Sequence, residues 1–205
     1  RIRKQFSQLE SLEARIVLDS TVVFNEIMFN PVGDNDGQTE WIELFNQLSL
    51  DMDISEWELT GGVEYTFPDG TIVPGRSTIL VAADPAALEA DGISGALGPW
   101  TGQLSNSGEE LRLYNNDERL MNVVDYKDSD PWPAAPDGTG ASLAKSNQFG
   151  ASDVTDNWTF SLEVGGTPGL DTFIKPGTFR STDLLVEGSA ARAFVPANGD
   201  LADSW

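Results

Sequence analysis

Asp34, Asn35 and Asp36, followed by Glu40, place four hard oxygen donors on one short stretch. Flexible oxygen-rich loops are what calcium needs. The spacing departs from the twelve-residue calcium loop of helix–loop–helix proteins, because Gly37 comes early and no Glu closes the loop. A solvated turn uses the same Asp, Asn and Gly for their backbone geometry, and of the two readings the turn is favoured. Asp128 and Asp130, ahead of Pro131-Trp132, make a second and weaker oxygen cluster with the same alternative.

Ser142-Leu143-Ala144-Lys145 matches the S-x-x-K spacing of penicillin-recognising serine enzymes, and Thr155-Asp156-Asn157 echoes their second motif. That chemistry requires Ser and Lys one turn apart at the start of a buried helix. Here the tetrad follows Gly-Thr-Gly, reads as a strand, and lacks a later K-T-G. A strand would send Ser142 and Lys145 to opposite faces. Paired carboxylates could hydrolyse glycosides, but among 33 acids chance proximity is expected and no pair is placed across a cleft. Of six Trp, Trp41 and Trp57 lie in apolar strands and belong to the core. Trp100 and Trp132 lie beside prolines in loops and are the candidates for ligand contact, with packing over the end of the fold as the favoured alternative. No catalytic residue is assigned and no cofactor is required; calcium is the candidate ion.

Composition narrows the classes further. The chain has no Cys, which removes thiolate nucleophiles, disulfides and Cys-based metal sites, and no His, the commonest general base. A net charge of −21 repels phosphate backbones, so nucleic acid is excluded as an expected partner. No apolar run reaches the length of a membrane span. Hydrophobic residues at 40%, aromatics among them, are enough for a core.

The elements that would position these residues are short strands. Val22–Phe29 and Trp41–Phe45 are rich in β-branched and aromatic residues. Trp57–Thr60 and Val63–Phe67 flank Gly61-Gly62, a tight-hairpin signal. Ser77–Ala83 reads as a buried strand. One helix is expected near Pro85–Ala90, with Asp84 as its cap, Pro85 in its first turn and Gly92 beyond its end. Strands resume at Glu109–Tyr114, where Leu111 and Leu113 alternate with polar residues, then at Arg119–Tyr126, Ala141–Lys145 and Trp158–Leu162. Such a series indicates an all-β sandwich.

Residues 1–20 read as a leader-like segment. Leu12-Glu13-Ala14-Arg15-Ile16-Val17-Leu18 resembles an LE-x-R-x-x-L motif near the start of large exported bacterial proteins; a frayed amphipathic helix is the equal alternative. Val22-Val23-Phe24-Asn25-Glu26-Ile27-Met28-Phe29-Asn30-Pro31 and Glu40-Trp41-Ile42-Glu43-Leu44-Phe45-Asn46 are similar to the opening of bacterial lamin tail domains. The likeness continues through Phe67-Pro68-Asp69-Gly70, Leu104–Leu113, Val124-Asp125-Tyr126, Trp132-Pro133, Gly138–Leu143 and Gly166-Thr167-Pro168-Gly169, so it covers about residues 22–169.

The resemblance implies an immunoglobulin-like β-sandwich without catalytic residues, of a kind found in long secreted or surface proteins of bacteria. The expected organisation is a sandwich over 21–169, a linker over 170–178, and the start of a second, truncated β domain over 179–205. The chain begins at Arg1 and stops at Trp205, and reads as a piece of a longer polypeptide. The expected role is a non-catalytic binding or scaffolding module, secreted or at the cell surface, whose partner is a protein or an extracellular polymer of unknown identity. The alternatives are an accessory domain of a secreted hydrolase whose catalytic domain lies outside this chain, and a metal-assisted hydrolase working through its own carboxylates.

Overall fold

The computed structural model describes residues 21–33 and 36–170. The segments expected as a leader, as a linker beyond Leu170 and as the start of a second β domain lie outside the described residues, as do Asp34 and Asn35. In chain order the strands are β1 (Val22–Met28), β2 (Trp41–Asn46), β3 (Met52–Asp53), β4 (Glu58–Thr60), β5 (Val63–Thr66), β6 (Ile72–Val73) and β7 (Thr78–Ala82). Helix α1 (Pro85–Ala90) follows, then β8 (Thr101–Gly102), β9 (Gly108–Tyr114), β10 (Leu120–Lys127), β11 (Leu143–Lys145) and β12 (Trp158–Phe160).

Two five-stranded sheets form, in the orders β12-β11-β1-β2-β7 and β10-β9-β4-β5-β8, and β3 pairs with β6 beside them. Among the described residues every pairing between these strands is antiparallel. Between the sheets lie Phe24, Ile27, Ile42, Leu44, Leu59, Leu111, Leu113 and Val124, with Phe29 stacked on Tyr126 at 4.7 Å between ring centroids. This is the all-β sandwich expected from the strand spacing, with the immunoglobulin-like fold that the resemblance implies. The helix falls where the sequence put it, Asp84 accepting from the amides of Ala86 at 3.0 Å and Ala87 at 3.3 Å. The Gly61-Gly62 hairpin also forms. Gly61 sits at φ +138°, and a Cβ there would come within 2.6 Å of the Glu110 carbonyl oxygen, so this turn needs glycine twice over.

The first sheet departs from a half-buried ribbon. All seven residues of β1 and all six of β2 are buried, on both faces. The inner face meets the second sheet. Against the outer face, Met28, Trp41, Leu80 and Ala82 pack with Leu88 of α1 and with Ile93 and Ala96 after it. A register shift between Phe24 and Glu26 changes the alternation. It leaves Asn25 and Glu26 both aimed at the outer face, where alternation alone would have allowed one of them.

Candidate functional site

That outer face carries the densest polar chemistry described in the molecule. Glu26 and Glu43 stand opposite each other in the β1–β2 register, both buried within largely apolar strands. Each is held by donors. Glu43 accepts from Asn25 Nδ2 at 2.7 Å and from the Gly169 amide. Glu26 accepts from the Ser142 hydroxyl, from the Thr167 amide at 2.7 Å and from the Thr167 hydroxyl at 3.0 Å. Burial pushes the Glu26 carboxyl up from its usual range to about 7. The hydrogen bonds from Ser142 and Thr167 pull the other way, and the Glu43 carboxylate adds to the rise.

The two acids thus fasten Gly166-Thr167-Pro168-Gly169 across the sheet as a strap. Gly166 is at φ +83°, and a side chain there would strike the Trp41 ring. Only glycine lets the strap lie this close. Beside it opens a groove of about 370 Å³, with Met28, Trp41, Leu88 and Ile93 among its apolar walls, and with Asp91 and Gly165 also lining it. Val32 and Val164, 63% and 78% exposed, flank Gly140 at its edge.

The described candidates named from sequence are scattered, and Asp34 and Asn35 lie outside the described residues. Asp36 opens a short 3-10 helix that ends at Gln38. Glu40 is buried, and its Oε2 accepts the Leu104 amide at 2.9 Å. Among the described residues no group of three or more acidic side chains is gathered as a metal site would need. Trp100 is 6% exposed and belongs to the core. Its loop position suggested a surface contact, but its amide bonds to the Ala82 carbonyl at 3.4 Å and draws the residue under the sheet. Trp132 is half-buried, packed against the same core with its ring centroid 6.0 Å from that of Trp158. Asp128 and Asp130 stay on the loop after β10.

Ser142 and Lys145 part company as strand geometry requires. Ser142 bonds Glu26 on the outer face. The Lys145 ammonium donates to the Gly150 carbonyl at 2.7 Å and lies 5.7 Å from the centre of the Trp158 ring.

Sequence reasoning passed over Glu26, Glu43 and Thr167. Its available signal was an acid in the middle of each of two apolar strands, a costly placement unless hydrogen bonds meet it. A family model for the Lamin Tail Domain matches residues 19–128. The chain belongs to the lamin tail domain family. Lamin tail domains are non-catalytic immunoglobulin-like domains, in keeping with a binding module. A search of curated proteins returned no match. The lamin tail match stops at the end of β10, whereas the sheet in hand goes on through β11, β12 and the strap to Gly169. No helix among the described residues is long and apolar enough to cross a membrane.

Proposed function

We propose that this chain is a non-catalytic binding or tethering module of a larger exported bacterial protein, working at or outside the cell surface. The observation that carries the reading is the use made of its buried acids. Glu26, Glu40 and Glu43 each hold a backbone amide of another part of the chain. Carboxylates committed in this way brace a scaffold, whereas a general acid or base must face a cleft with a proton to exchange. Near the same strap the surface offers an open apolar groove, a feature suited to contact. The acidity of the chain, at −21, favours solubility and disfavours nucleic acid and anionic membranes as partners.

Two measurements test the reading. Deleting residues 21–170 from the host protein is expected to release it from the surface while leaving its export intact. A host protein found in the cytoplasm, or one retained equally well without these residues, overturns the module assignment. Purified chain is expected to leave chromogenic esters, phosphoesters and glycosides untouched, with or without calcium. Turnover abolished by Glu26→Gln would make the carboxylates catalytic and overturn the non-catalytic assignment.

A further inference from the structure

The groove beside the strap is preformed. The Gly165 amide donates to the Gly140 carbonyl at 2.8 Å, closing one wall. Asn30 donates to Asp137 at 2.7 Å behind Val32. Thr167, the neighbour of the lining residues Gly166 and Pro168, is tied to Glu26. Such a site costs little ordering when something enters it.

Its size and lining limit what can enter. At about 370 Å³ it lies at the low end of ligand cavities, which run roughly 300–1,000 Å³. Thr39 and Asp91 bring the polar side chains among its lining residues, with the backbone of Gly140, Gly165 and Gly166 beside them, and its other side chains are apolar. One bulky apolar side chain against Trp41, Met28, Leu88 and Ile93 uses the site well. Exposed Val32 and Val164 extend the apolar contact past the mouth.

Charge chooses among apolar partners. Asp91 lines the groove, exposed Glu89 lies two residues before it, and exposed Glu163 adjoins Val164. Among the described residues no Lys or Arg lines it. A second copy of this chain would bring a charge of −21 to meet −21. Steering and rim contacts therefore favour a cation.

We propose that the groove over Trp41, rimmed by Val32, Val164 and Asp91, binds a polypeptide segment that presents one bulky apolar side chain flanked by Lys or Arg. The proposal rests on the binding-module reading and gives that module a partner chemistry.

The test is a methyl-resolved NMR titration of the whole 205-residue chain with three capped peptides: Gly-Lys-Phe-Lys-Gly, its Glu-flanked counterpart, and a version with Ser in place of Phe. The Lys-flanked peptide is expected to give saturable shifts confined to Met28, Val32, Leu88, Ile93 and Val164. The Glu-flanked peptide should bind about three- to tenfold more weakly, and the Ser version should give no saturable shifts. Val164→Ser, at a position too exposed to unsettle the fold, should weaken binding. Asp91→Asn should narrow the gap between the Lys- and Glu-flanked peptides. Shifts absent at millimolar peptide, shifts spread over other faces, or equal binding of both charged peptides would overturn the proposal. If surface retention is still lost on deleting residues 21–170, that failure belongs to the groove and the module reading stands.

Discussion

Glu26 is an acid whose proton is bound more tightly in the folded chain than in the unfolded one. Its contribution to stability is therefore fully present below the unfolded value of 4.5 and lost as pH rises through the folded value of about 7. The difference across that window is on the order of 3 kcal/mol. We expect the melting temperature to rise by several degrees between pH 8 and pH 5.5. The Glu26→Gln variant keeps an oxygen to accept Ser142 and Thr167 but cannot titrate, so its melting curve should depend less on pH across this range. Identical pH dependence in the two proteins would show that other carboxylates carry the effect. The strap glycines give a second test at this scale. Gly165 and Gly166 are at φ +93° and +83°, but a Cβ at Gly165 meets open space, whereas one at Gly166 meets the Trp41 ring. Gly165→Ala should cost about 1 kcal/mol through the backbone alone. Gly166→Ala should cost about 1–3 kcal/mol more through overpacking, and chemical denaturation of both variants would separate the two contributions.

At the scale of single elements, α1 is six residues long, far below the length at which an isolated helix persists in water. Its stability is borrowed from its cap and from Leu88, buried against the outer face of the first sheet. Asp84→Ala is expected to lower stability by about 1 kcal/mol, with hydrogen exchange at the Ala86 and Ala87 amides faster than in the parent. Unchanged exchange there would mean that packing alone holds the helix. This helix was legible because cap, Pro and terminating Gly are local signals. The longer strands were legible for the same reason; the alternation Leu111, Arg112, Leu113 appears as buried, exposed, buried. The two-residue strands β3, β6 and β8 carry too few residues to show a period, so they emerge only from pairing. The strap and groove were the least legible part. Thr167 lies 141 residues from Glu26, and no local pattern announces a hydrogen bond across that distance. Trp100 was legible as a choice between ligand contact and packing, and it packs in the core as the favoured reading had it.

For the molecule as a whole, β1 is flanked by β2 on one side and β11 on the other. A fragment of residues 21–128 keeps all but the first two residues of the family-matched region yet loses β11, β12, Ser142 and the strap. It leaves Glu26 without its three donor groups and bares the face around Trp41. We expect that fragment to show no cooperative thermal transition, while 21–170 melts in one step. A sharp transition in the shorter fragment would place the stabilising core entirely before β11. The central seat of β1 also has a consequence in time. During synthesis the β1–β2 pair is complete once Asn46 has emerged, but the strand that covers its other edge begins at Leu143. At about 5–20 residues per second, this edge waits on the order of 5–20 s for its partner. Throughout that interval an apolar strand offers unpaired amides and carbonyls to any passing chain, so the period of greatest aggregation risk is written into the strand order itself.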